Sequence, residues 1–102
     1  MSDPSVDVIV PVHSADRPIH RAVSSVLEHT SAAVQVTVIA HNIEAARIQH
    51  ALGALADSPQ VTLLELTDGI PSPSGPRNFG IAHTSAPYFA FLDSDDELAP
   101  GA

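Results

Sequence analysis

Apolar residues gather along the chain in four short runs. VDVIVPV (Val6 to Val12) is β-branched on both faces except at Asp7, which predicts a strand covered on both sides. AVQVTVIA (Ala33 to Ala40) repeats the pattern, VTLLEL (Val61 to Leu66) reads as a third strand, and YFAFL (Tyr88 to Leu92) as a fourth, buried one. Between them the period changes to that of a helix. After HSADRP, with Ser14 or Asp16 as cap, Ile19, Ala22, Val23, Val26 and Leu27 lie at i, i+3, i+4, i+7 and i+8 from Pro18 onward. Asn42 is the expected cap of a second helix, with Ile48, Ala51, Leu52 and Leu55 as its apolar stripe. TDGIPSPSG reads as a loop, and a short third helix is expected from Pro76.

This βαβαβαβ alternation predicts an α/β fold: a doubly wound, mainly parallel four-stranded sheet with helices on both faces. In such sheets ligands bind beyond the carboxyl ends of the strands, where neighbouring connections diverge. For the strand order 3-2-1-4 that crevice lies between the first and fourth strands. Its lips would be HSADR and DSDDE.

Composition narrows the partners. The 102 residues suit one domain with a modest core, and 44% of them are hydrophobic. Four basic against twelve acidic residues give a net charge of −8, which disfavours nucleic acid as a partner. There is no cysteine, so disulfide and thiolate chemistry are excluded. No run approaches the ~20 apolar residues of a membrane helix, and the N-terminus shows no basic leader. A cytoplasmic protein is the expectation.

The acidic run Asp93, Ser94, Asp95, Asp96, Glu97 demands neutralisation or solvent. One reading is a solvated turn whose Asp caps a following helix. A calcium loop of the EF-hand kind fails, because Leu98 stands where the sixth-position glycine is required. Aspartyl phosphatase chemistry with Asp93 as nucleophile is a weak alternative, since Glu97 stands where Thr or Val is wanted. Walker A and dinucleotide fingerprints are absent. A hard cation, Mg²⁺ or Mn²⁺, shared between these carboxylates and a phosphorylated ligand would resolve the repulsion.

Three segments then resemble a known family. VDVIVPVHSADRPIHRAVSSVL, GPRNFGIAHTSAPYFAFLDSDDEL and the strand-helix unit between them are similar to the nucleotide-binding half of the inverting family 2 glycosyltransferases, which have a Rossmann-like GT-A fold. The resemblance implies a nucleotide-diphosphate sugar as donor, with Asp93 against the ribose, Asp95 on the metal of the Asp-x-Asp motif and Asp96 supporting it. It further implies that Pro11 and His13 flank the donor base and that Arg77 and Asn78 begin a helix beside the pocket.

The family's carboxylate after the second strand, which reads uracil, is replaced by Ala40, His41 and Asn42. His41 can still contact the base, but discrimination for uridine is expected to be weak, within about tenfold or ~1.4 kcal/mol. The catalytic base and acceptor site belong to the family's C-terminal half. The 102 residues are therefore expected to be one nucleotide-sugar-binding unit, truncated before that half and inactive alone. Apolar surface around YFAFL is expected to be left open and to favour homo-oligomers. The alternative within the same fold is a non-catalytic nucleotide-binding or interaction module.

Overall fold

The structure is a computed structural model, and it describes residues 6–14, 19–29, 34–69, 74–84, 86 and 88–92. The elements run β1 (Val6–Val12), α1 (Ile19–His29), β2 (Val34–His41), α2 (Ala45–Leu52), a 3₁₀ turn (Gly53–Asp57), β3 (Val61–Leu66), α3 (Ser74–His83) and β4 (Tyr88–Phe91). All strand pairings are parallel and the order is β3-β2-β1-β4. This is the doubly wound arrangement expected from the alternation of elements.

Register assigns the two faces, because successive side chains point to opposite sides of a strand. Val8, Val10 and Val12 of β1 share a face with Val36, Val38 and Ala40 of β2. They form one core with Ile19, Val23 and Val26 of α1 and with Ile48 and Leu52 of α2. The opposite face of the same strands carries Asp7, Ile9, Thr37 and Ile39, and all four are buried. Helix α3 packs on this second face. A Cβ at Gly80 would stand 2.7 Å from Cγ2 of Ile9, so the missing side chain lets the helix backbone rest on β1. A β-branched Ile9, wholly buried, has little freedom to move aside.

Asp7, the one polar residue of the β1 pattern, is fully buried. Its carboxylate accepts hydrogen bonds from Thr37 Oγ1 (2.8 and 2.9 Å to its two oxygens) and from Gln35 Nε2 (2.7 Å). Such charge-assisted bonds contribute roughly 1.5–3 kcal/mol each and offset the cost of taking the carboxylate from water. They also link β1 to β2 by side chains as well as by the backbone ladder.

Three expectations are corrected. Asn42 does not cap α2: the N-cap position is Glu44, which makes no side-chain capping bond. The first helical amide, Ala45 N–H, donates instead to Glu65 Oε1 of β3 at 2.6 Å. The third helix begins at Ser74, two residues before Pro76, because Pro76 then occupies the first turn, where its missing N–H costs nothing. The fourth strand is not covered as a buried strand, which leaves open the apolar surface expected around YFAFL: it pairs with β1 alone among the described residues and is exposed at every position. Tyr88 is 69% exposed, Phe89 46% and Phe91 41%. Among the described residues no helix is long and apolar enough to cross a membrane.

Replacing Gly80 by Ala gains about 1 kcal/mol of helix propensity but forces a clash with a stiff, buried Ile9 worth about 1–3 kcal/mol. G80A is therefore expected to lower unfolding free energy in urea by up to about 2 kcal/mol, whereas a gain in stability would mean that the helix can lift from the strand. The open aromatic face of β4 is expected to raise apparent mass with concentration in light scattering, and Y88K/F89K is expected to reduce it.

Candidate functional site

The carboxyl ends of the strands come together through register. Val12, the last residue of β1, pairs with Ala40, so His13 and His41 leave adjacent strands at one level. Pro11, half-buried, pairs with Ile39, and His13 is exposed. On the other flank of β1, Ile9 pairs with Phe91, and Leu92 N–H donates to Ile9 O at 3.1 Å. The strand order reverses at this point: β1 is followed through α1 by β2 on one side, and β4, which follows α3, is added on its other side. This is the switch point expected for a ligand.

His41 is the last residue of β2 rather than a turn residue, and only 5% of it is exposed. Its Nε2 lies 2.8 Å from Oδ1 of Asp68 in the β3–α3 connection. A carboxylate only accepts, so the imidazole donates from Nε2. Asn42 holds Asp68 in place. With φ of 58° its backbone is left-handed, a conformation Asn tolerates better than most residues. That turn aims its side-chain oxygen at two backbone amides, Asp68 N–H and Gly69 N–H, both at 2.9 Å. Its own N–H donates to Leu66 O at 2.8 Å, and its Nδ2 packs 3.2 Å from His41 Nε2.

The start of α3 closes this side of the crevice. A Cβ at Gly75 would meet Asp68 Oδ2 at 2.7 Å, so glycine there admits the carboxylate between the helix start and the strand ends. Two residues on, the Arg77 guanidinium lies 5.2 Å over the ring of Phe91, a cation–π contact at the end of β4. Asn78 beside it is exposed.

Pro11, His13 and His41 thus stand side by side on adjacent strand ends, and Arg77 stands over β4 two residues before Asp93. Asp93, Asp95 and Asp96 lie outside the described residues. Among the described residues no three His, Asp or Glu side chains are grouped to hold a metal ion. Asp68 and Asn42 escaped the sequence reading as site residues. The only local signal was Asp-Gly after a strand, which speaks for a turn and does not reveal a partner 27 residues earlier.

A family model described as Glycosyl transferase family 2 matches residues 7–102. The chain belongs to that family. Succinoglycan biosynthesis protein ExoO of Rhizobium meliloti (strain 1021) is 34% identical over 97 residues, which cover 95% of this chain and 27% of ExoO. The crystal structure of S. aureus TarS 1-349 superposes with a TM-score of 0.75 at 20% identity, over 91% of this chain and 28% of that one. The match to a longer TarS structure has the same TM-score and covers 17% of it. At such identity the TarS likeness shows a shared fold, here the Rossmann-like GT-A arrangement of the family 2 sheet. The chain spans little more than a quarter of the length of ExoO and of TarS 1-349.

Two substitutions separate the roles of Asn42. N42A loses the two bonds of the side-chain oxygen and leaves a left-handed backbone to a residue that tolerates it less well than Asn, and is expected to cost about 2–3 kcal/mol in urea unfolding. N42G loses the bonds but not the backbone freedom, and is expected to cost about 1 kcal/mol less than N42A. Equal losses would show that the positive φ carries no strain.

Proposed function

We propose that this chain is the donor-binding part of an inverting family 2 glycosyltransferase. It binds a nucleotide-diphosphate sugar whose sugar passes to an acceptor hydroxyl. The observation that carries the reading is the family match, which runs to residue 102 and so includes the acidic run. The sheet order supports it, because Leu92 is bonded to Ile9 and the chain enters the acidic run from beside β1.

Within this reading Asp95 and Asp93, with Asp96 in support, supply the carboxylate oxygens that a hard Mg²⁺ or Mn²⁺ takes. A bound cation there would neutralise the leaving diphosphate. The fit rests on donor chemistry: the chain has only 4 basic residues, too few to hold a diphosphate by charge alone. Pro11 and His13 flank the base, and Arg77 and Asn78 stand at the helix edge of the pocket. In the transfer the acceptor oxygen bonds to the anomeric carbon opposite the nucleotide, and the carbon–oxygen bond to the diphosphate breaks. The hydroxyl proton goes to a carboxylate base, which this reading assigns to polypeptide outside these 102 residues.

Calorimetry with nucleoside diphosphates, with and without Mn²⁺, tests this. Binding is expected to require Mn²⁺, and D95N is expected to weaken it by at least about tenfold, or ~1.4 kcal/mol. The 102-residue chain is expected to transfer no sugar to any acceptor. Metal-independent binding with D95N unchanged would support the non-catalytic module instead, and turnover would reveal a base within the chain.

A further inference from the structure

The His41–Asp68 pair is more than a tie between loops. Asp68 is held on three sides: Asn42 Oδ1 takes the amides of residues 68 and 69, His41 Nε2 donates to Oδ1, and Oδ2 lies against Gly75. The side chain of Asp68 is 24% exposed and that of His41 only 6%, so the imidazole is largely withdrawn from water while its partner is fixed. The hydrogen bond made by one ring nitrogen sets the state of the other. With Nε2–H committed to a carboxylate, the neutral ring offers Nδ1 as an acceptor. Nδ1 makes no hydrogen bond to any described residue.

Position suggests what it reads. Neighbouring strands are about 4.8 Å apart, so β2 lies about 10 Å from β4, across β1. A diphosphate held at the end of β4 would lay its nucleoside across β1 toward β2. The group reaching His41 is then the base rather than the sugar or the phosphates.

We propose that Asp68 is a positioning residue that locks His41 as the Nε2–H tautomer, so that Nδ1 accepts a hydrogen bond from the ring N–H of a nucleobase. This rests on the donor-binding reading. It favours bases with a ring imide, such as uracil, over cytosine, whose corresponding ring nitrogen is itself an acceptor. The carboxylate missing from the turn after β2 is in this sense supplied from the turn after β3, acting through a histidine. Base discrimination is then stronger than the sequence around residue 41 implies.

The test uses the ¹⁵N-labelled 102-residue chain with UDP and CDP as probes. Long-range ¹H–¹⁵N spectra are expected to show His41 as the single Nε2–H tautomer, and D68A to release it to a mixture. With Mn²⁺ present, UDP is expected to bind at least about tenfold tighter than CDP. D68A is expected to bring the ratio within about threefold while CDP affinity stays unchanged. H41F should have the same effect, and D68N, which keeps the shape, should fall between. A tautomer mixture in the native chain overturns the proposal, as does a UDP preference that survives both D68A and H41F. Binding of both nucleotides with equal affinity overturns this inference alone. Absence of Mn²⁺-dependent binding for either overturns the donor reading and this inference with it.

Discussion

The seat of α3 on β1, at Gly80 against Ile9, is the contact on which the crevice depends. A parallel strand buried on both faces must be covered from both sides, and the second face here carries a large, immobile Ile9. Only a residue without a side chain lets a helix backbone come so close. Once α3 is seated, its first turns are directed over the strand ends. Gly75 then abuts Asp68, and Arg77 covers Phe91. A helix held a few tenths of an ångström farther out would loosen both contacts together.

Two carboxylates at opposite ends of the sheet show how place in the fold decides role. Asp7 sits at the start of β1, at the end of the sheet away from the crevice, and its oxygens are occupied by Thr37 and Gln35. Its polarity is spent on joining strands. Asp68 lies at the opposite end in a connection, partly open to solvent, with its charge directed at a histidine. Parallel sheets leave their strand ends as the place where side chains from distant connections meet, and the polar cluster at β2 and β3 follows from that geometry.

β4 differs from the other strands. It has the composition of a covered strand and yet shows its aromatic residues to solvent, with Phe89 and Phe91 in contact at 5.7 Å between ring centroids. An edge strand with an apolar surface is open to further pairing or packing. ExoO and TarS 1-349, of which this chain matches little more than a quarter, are much longer polypeptides.

The number, type and order of elements were legible because periodicity is local: a run of Val and Ile at every position reports a strand covered on both faces wherever it ends up. The boundaries of β1 and β3 and the stripe of α2 followed from this, and the parallel, doubly wound sheet followed from the alternation. What periodicity reports is that a residue is buried, and it is silent on what the residue meets. Asp7 looked like a blemish in a strand, and tertiary contact made it an acceptor for β2. Asn42 had the composition of a helix cap, but a left-handed turn gave its oxygen to the amides of residues 68 and 69. His41 looked like the loss of a carboxylate, and one stands 2.8 Å away, brought there by the β2–β3 register and by a glycine in α3. Hydrogen bonds between strand ends depend on the packing of whole elements, so only the folded chain decides them.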